Sequence, residues 1–277
     1  CELSTVPREG INKRVIKRYS SRLLESGEDL PEQFSGPLLL PNNKDSIRNY
    51  FSQASLIDEG VGKILSELKS LNLSKNTIII YTSDHGFSLG NHGIWGHGLA
   101  AWPSSMHRPS FNIPLIFSGP KINQGISKAL VSQTDLANTI LSMAGVSKLK
   151  SKLVNSISLK FTDEDLNSRD TIFMEQEETR AVRTHEWLYI ERFNKEGMSY
   201  IEPELYNLIE DPDERKNLFK EESYREIIGT FSQEINDYFN KYGDSKYNLW
   251  IGGTAKSNVS NPKFWKKIWG SNWKTFI

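Results

Sequence analysis

The chain has 277 residues, 37% hydrophobic and 25% charged, with a mean hydropathy of −0.50. That is ample apolar chain for one large domain or two modest ones, and it excludes disordered, collagenous and membrane-embedded classes. Thirty-four basic residues balance thirty-four acidic ones, so the global charge points to neither nucleic acid nor a charged membrane surface. The single cysteine, Cys1, excludes an internal disulfide framework and a cysteine-rich metal site. No apolar run approaches the roughly 18 residues of a spanning helix. A start at Cys1 without Met or a signal peptide sets the expectation of a processed or truncated piece of something longer.

In chain order, Lys13, Arg14, Lys17, Arg18 and Arg22 surround Val15, Ile16 and Tyr19 in a basic helical stretch, read as a solvated face. A loop with Pro31, Pro37 and Pro41 follows. From Ser46, Ile47, Tyr50, Phe51, Ala54, Ile57, Val61, Ile64, Leu65 and Leu68 recur at three- and four-residue steps, which predicts the buried face of a long helix. Gly60 and Gly62 interrupt it and suggest a closely packed neighbour. After the polar break 72–76, Thr77 to Tyr81 is a β-branched apolar strand. Helix, short loop and apolar strand make half a βαβ unit, so a parallel sheet with helices on both faces is expected.

A second buried strand is predicted over Ile113–Phe117, with Pro114 at its entrance and Ser118-Gly119-Pro120 ending it. A helix follows from Thr134 to Ala144, with Thr134 as N-cap, Asp135 complementing the positive helix end and Gly145 at C′. Residues 147–168 read as a passage between subdomains. Short strands are predicted at Thr171–Met174, Ala181–Arg183 and Trp187–Phe193, then Tyr206–Leu208 and a turn at Glu210–Asp213. Glu175 to Glu222 carries a net charge of −7, whereas Trp250 to Ile277 has five lysines, no acid, and Trp250, Trp265, Trp269 and Trp273. The expected division is a catalytic-domain portion over 1–165, a small subdomain over 166–230 and a Trp/Lys-rich tail over 231–277.

Chemistry concentrates directly after the first strand, in Tyr81-Thr82-Ser83-Asp84-His85-Gly86. Ligands of open α/β sheets bind beyond the carboxyl ends of strands, and a carboxylate beside an imidazole can ligate one divalent ion. An Asp cap with a hydrogen-bonded His is the plain structural alternative. The loop Leu89 to Gly98 adds four glycines with His92 and His97, and His107-Arg108 follow shortly after. Clustered histidines in a glycine-rich loop suit an anion-and-metal site. Sulfate or phosphate esters are the natural substrates of such a site, because charge moves onto the leaving oxygen in the transition state.

Thr82-Ser83-Asp84-His85-Gly86, Leu89-Gly90, His92-Gly93 and Trp95 together resemble the sulfatase family of the alkaline phosphatase superfamily. Tyr50 through Asp58-Glu59-Gly60-Val61-Gly62, Asn112-Ile113-Pro114-Leu115-Ile116, and Glu204-Leu205-Tyr206-Asn207-Leu208 with Asp211-Pro212 and Glu214 resemble further blocks of that family, in its order. The resemblance implies an α/β fold: an alkaline-phosphatase-like sheet with helices on both faces, its N-terminal part missing, plus a small C-terminal α+β subdomain with an antiparallel sheet. It implies metal-dependent hydrolysis of a sulfate ester, with a sulfated carbohydrate as candidate substrate. Asp84 and His85 become calcium ligands. His97, thirteen positions after Asp84, takes the place of a lysine that touches the sulfate, as a catalytic and substrate-binding residue. A histidine there supplies charge only when protonated, so an altered substrate or pH preference is expected. His92 reads as loop-structuring, and His107 and Arg108 as either surface residues or leaving-group contacts.

The family's nucleophile is a formylglycine made from cysteine in a C-x-(P/A/S)-x-R motif. Cys1 to Arg8 does not fit that spacing, so formylglycine is expected only in a missing upstream segment and the isolated chain is expected to be inactive. The resemblance also favours a periplasmic or extracellular location. The charge balance and the lack of a long apolar run set the expectation of no nucleic-acid partner and no membrane span, and the oligomeric state stays undetermined. The rival readings are a phosphodiester or phosphonate monoester hydrolase of the same superfamily, and a non-catalytic fragment or binding module.

Overall fold

The computed structural model describes residues 43–96, 103–146, 156–159, 169–196, 200–256 and 261–276. The basic stretch at 13–22, the proline-rich loop, His97 and most of the passage 147–168 lie outside the described residues. By its contacts the chain divides into two compact units, Cys1–Gly98 with Pro109–Ile122, and Leu99–Arg108 with Asn123–Ile277.

In the first unit the predicted long helix is α1, Asn43–Ser70. A short 3-10 turn at Ser74–Asn76 leads to β1, Ile79–Thr82. The hairpin β2, Ser88–Leu89, with β3, Trp95–Gly96, follows. The short α2, Arg108–Phe111, whose first residue belongs to the second unit, then precedes β4, Leu115–Ser118. Among the described residues β1 does not have the parallel pairing expected of it. β1 pairs with β4 antiparallel, Ile79 opposite Ser118 and Thr82 opposite Leu115. The excursion 83–114 leaves and returns at the same end of the pair, whereas a parallel neighbour needs a crossover that carries the chain back along the strand. At the far end, Gly119 has φ +144°, and a Cβ there would stand 2.6 Å from the Thr77 carbonyl oxygen. Only glycine closes the pair at that point.

The apolar stripe of α1 is present but mostly uncovered. Ile47 is buried, whereas Phe51, Ile57, Ile64 and Leu65 are exposed. Periodicity identifies the face a helix would bury but says nothing of what covers it. Among the described residues no neighbour packs within 4 Å of a Cβ built on Gly60 or Gly62, so they do not supply the close packing read into those glycines.

In the second unit, α3 spans Asp135–Met143. Thr134 makes no side-chain cap, contrary to the sequence reading. Asp135 is instead a buried tie. Its carboxylate accepts the amides of Ser132 and Ile157 at 2.8 and 2.9 Å, and both arms of the Arg169 guanidinium at 2.9 Å. Such a fork-to-fork pair links parts of the chain far apart in sequence.

The strands β5, Ile172–Gln176, β6, Thr179–Arg183, β7, Trp187–Arg192, and β8, Glu204–Asn207, form an antiparallel sheet in chain order. Side chains alternate between the two faces of a strand. Phe173, Val182, Tyr189 and Leu205 are direct cross-strand partners and therefore form one row. That row packs with Phe231, Ile235 and Phe239 of α4, Arg225–Tyr242. The three α4 residues are spaced by four, the stripe by which a helix buries one side. The opposite face carries Arg183, Arg192, Glu204 and Tyr206, at the alternate positions of β6, β7 and β8.

The C-terminal segment folds back on this sheet. It contains β9, Thr254–Lys256, α5, Pro262–Trp269, and β10, Lys274–Phe276, which pairs parallel with β9. Trp265, Leu249 and Ala255 bury with Phe193. Arg180 fixes the junction: its guanidinium lies 4.3 Å from the Phe239 ring centre and 4.4 Å from that of Trp250, and donates to Glu175 and Asn248.

Ile235 is fully buried in the sheet–helix core. Ile235→Ala is expected to lower unfolding free energy by about 2–5 kcal/mol, the range for buried aliphatic truncations. Chemical denaturation measures it, and a loss below about 1 kcal/mol would contradict the packing.

Candidate functional site

β1 delivers Asp84 and His85 just beyond its carboxyl end, where the sequence placed them. The Asp84 side chain is 86% exposed and that of His85 28%, with Asp84 Oδ1 and His85 Nε2 3.8 Å apart. His85 Nδ1 lies 2.8 Å from the Gly86 carbonyl oxygen. That contact requires the proton on Nδ1, which leaves the lone pair on Nε2, the nitrogen nearer Asp84. The Asp84 carboxyl is held below its ordinary value, first by its own backbone amide, then by attraction to the His85 ring when that ring is protonated, with further help from the His85 amide and the Ser83 hydroxyl. One ionised carboxylate and one imidazole lone pair at this separation fit a shared divalent ion.

Gly86 is required here for a reason other than a free turn. Its amide donates to the Ser110 carbonyl at 2.9 Å, and a Cβ would lie 2.1 Å from the Pro109 carbonyl oxygen. The chain of 109–110 passes too close for any side chain. In the β2–β3 hairpin, Gly90 has φ +98° and His92 φ +53°. His92 therefore occupies a left-handed position in the tight turn, where the Ile94 amide bonds back to the Asn91 carbonyl at 3.0 Å. This agrees with a loop-structuring role. His97 lies outside the described residues.

His107 is neither on the surface nor an open contact for a leaving group, as the sequence reading had it. It is buried, with Nε2 3.3 Å from Glu204 Oε2 and Nδ1 3.4 Å from Glu214 Oε2. Arg108 is exposed, but its amide donates to Glu214 Oε2 at 2.7 Å. Arg183 donates to the other Glu214 oxygen at 2.6 Å. Arg192 pairs with Glu204, and Tyr206 donates its hydroxyl to Glu204 at 2.7 Å. One step along, Arg192 also donates to the Ser104 carbonyl at 2.7 Å, and the Ser104 amide and hydroxyl donate to buried Glu178. The polar face of the sheet thus clasps residues 104–108.

Burial is the largest influence on His107 and opposes its charge, yet hydrogen bonds and attraction from Glu204 and Glu214 outweigh it and hold the imidazole above its ordinary value. Burial likewise pushes both glutamates up, but His107 with Arg192 holds Glu204 well below the usual range, and His107 with Arg183 and the Arg108 amide does the same for Glu214. Glu178 is raised by burial, only partly offset by Ser104 and its other donors. No sequence motif of catalysis marks this cluster. Its signal was the Glu204 and Glu214 of the family-like blocks, which serve here as structural anions.

The signs give a pH dependence. His107 contributes stability that is complete below about pH 6.5 and lost as pH rises through its raised folded value. Glu204 and Glu214 contribute stability that is complete above about pH 4.5 and lost as pH falls through their lowered values. The midpoint of thermal unfolding should therefore peak between about pH 4.5 and 6.5. His107→Gln should flatten the alkaline limb. An identical alkaline decline in wild type and variant would contradict the charged clasp.

The sulfatase family model matches residues 13–146, and that of the N-sulphoglucosamine sulphohydrolase C-terminal region matches residues 97–241, more than half of the chain. Arylsulfatase K of Canis lupus familiaris is 30% identical over 256 residues, covering 82% of this chain and 46% of the relative. N-acetylglucosamine-6-O-sulfatase of Bacteroides thetaiotaomicron is 28% identical over 215 residues, covering 72% and 36%. A solved structure in complex with its substrate D-glucosamine-2-N,6-O-disulfate superposes with a TM-score of 0.64 at 26% identity, covering 83% of this chain and 47% of that one. A phosphonate monoester hydrolase of Agrobacterium radiobacter, at 18% identity and TM-score 0.59 over 73% of this chain and 42% of its own, shares the fold. The chain spans about half the length, or less, of the curated relatives it matches. It belongs to the sulfatase family and has the α/β, alkaline-phosphatase-like fold of that family.

Proposed function

We propose that this protein takes part in the hydrolysis of a sulfate ester on a carbohydrate, with Asp84 and His85 as two ligands of a calcium ion and His97 as a donor to the sulfuryl oxygens. The observation that carries the reading is the Asp84–His85 pair at the carboxyl end of β1, with its donor atoms 3.8 Å apart, in a chain of the sulfatase family. A bound divalent ion would polarise the ester oxygens and stabilise the charge that grows on them.

The chain's own residues supply the rest of the argument. The Gly86 carbonyl orients the His85 ring by accepting from Nδ1, which fixes the nitrogen offered to the ion. Ser83 and the His85 amide donate to Asp84 Oδ1 at 3.4 and 3.1 Å, restraining the carboxylate rotamer. His97, in place of a lysine, would carry its positive charge only while protonated. Cys1 does not stand in a formylglycine motif, so in this reading the nucleophile comes from sequence outside these 277 residues. The sulfated-sugar relative and the structure holding a sulfated glucosamine support a carbohydrate leaving group. Among the described residues no helix is long and apolar enough to cross a membrane. A periplasmic or extracellular location suits polymeric sulfated substrates.

The test is hydrolysis by the protein in its natural full-length form, comparing an aryl sulfate with an aryl phosphodiester. Preference for the sulfate is expected, and preference for the phosphodiester would overturn the reading. Asp84→Asn should lower calcium-dependent kcat/KM at least about a hundredfold, since a ligand to the ion loses its charge. Turnover close to wild type would remove Asp84 from the metal centre. His97→Lys should retain activity and move the alkaline limb of the pH profile upward, because lysine stays charged to about pH 10. An unchanged rate and profile would show that His97 does not touch substrate.

A further inference from the structure

We propose that the exposed lysines of the C-terminal segment, Lys263, Lys266, Lys267 and Lys274, none of them assigned to hydrolysis, form a binding surface for a sulfated polysaccharide. The inference deepens the proposed function and rests on its reading of a sulfated carbohydrate substrate.

The sequence from Ser245 to Ile277 has six lysines and neither aspartate nor glutamate, in a chain whose net charge is zero. Along the sequence such a stretch carries charge of one sign only. The structure fixes how it is presented. α5 starts at a firm N-terminus, where the Asn261 side chain accepts the Phe264 amide at 3.1 Å and Pro262 occupies the first turn. Trp265 is fully buried against Phe193, Leu249 and Ala255, with Phe264, Ile268 and Trp269 packed beside it. Lys263, Lys266 and Lys267 are spaced i, i+3 and i+4, so they share the other side of the helix, and all three are exposed. Lys274, beyond the helix, is exposed as well. The Lys195 ammonium lies 4.6 Å from the Trp269 ring centre, adding a cation to the same segment.

The tryptophans are committed to holding this segment in place. Trp250 donates its ring N–H to the Glu177 carbonyl at 2.9 Å, Trp265 to the Glu177 carboxylate at 3.0 Å and Trp269 to the Leu249 carbonyl at 3.1 Å. The lysines hold nothing comparable. Elsewhere in the unit Lys216 pairs with Glu221 and Lys220 with Glu202, but among the described residues no ion pair involves Lys263, Lys266, Lys267 or Lys274. The helix dipole accounts for Lys266 and Lys267, which stand in the last turn. It disfavours Lys263, in the first turn, and does not reach Lys274. A rigid helix that sets out cations without internal partners offers an anionic polymer a preorganised surface at low ordering cost.

Heparin is the probe, with desulfated heparin and polyuridylic acid as comparators, each titrated against the protein in its natural full-length form by tryptophan fluorescence at several salt concentrations. Heparin should bind with an affinity that falls steeply with salt. Charge reversal in the combined variant K263E, K266E, K267E should weaken it at least about tenfold and flatten the salt dependence. The corresponding triple alanine variant should move the same way by less, and circular dichroism should show both variants folded. Desulfated heparin and polyuridylic acid should bind at least about tenfold more weakly than heparin. Unchanged heparin affinity in the folded variants would overturn the proposal. Equal or tighter binding of polyuridylic acid would overturn it in favour of a nucleic-acid surface. Aryl sulfate hydrolysis reads the other claim separately: lysine-dependent heparin binding in a protein without sulfatase activity would sink the proposed function and leave this surface standing.

Discussion

A buried anion needs partners, and the second unit is organised around that requirement. Glu214 is fully buried and would be strongly destabilising alone, since an unpaired carboxylate in an apolar interior costs an amount comparable to the net stability of a domain. Arg183 from β6, the Arg108 amide and His107 compensate it. Glu204 of β8 is compensated in the same way by Arg192 of β7, the Tyr206 hydroxyl and His107. His107 is the shared member, so segment 104–108 cannot leave the sheet without stranding two carboxylates. This segment follows the Asp84–His85 loop and leads into β4 in the chain.

The sheet therefore does two different jobs with its two faces. The row Phe173–Val182–Tyr189–Leu205 is held by non-directional burial under α4 and tolerates changes of shape at modest cost. The charged face is directional and fixes one register of segment against sheet. Replacing it with apolar residues of equal volume need not weaken the fold, because buried ion pairs contribute little net stability. Removing a single member strands the others.

The sequence made the elements readable wherever one physical signal dominated. Helical spacing from Ile47 onward located α1, the β-branched run at 77–81 located β1, and the motif around Asp84 marked the carboxylate–imidazole pair at the end of β1. The antiparallel pairing of β1 with β4 was not readable, because an apolar strand carries no mark of its neighbour's direction. The α1 stripe predicted burial that the described residues do not supply at Phe51, Ile57, Ile64 and Leu65, in a chain spanning 46% of its Canis relative. His107 was misread because a histidine two residues from a proline in a polar stretch looks exposed. Its partners come from β8 and the turn beyond it, about a hundred residues later, and only folding brings them together.

The central claim is that Asp84 and His85 hold a divalent ion in a sulfate-ester hydrolase, and the most direct measurement is an anomalous-difference map. Crystals of the natural full-length protein grown with calcium should show a peak within about 2.6 Å of the Asp84 carboxylate and of His85 Nε2. A map with the ion bound by other residues, or with His85 Nε2 turned away from it, would contradict the account.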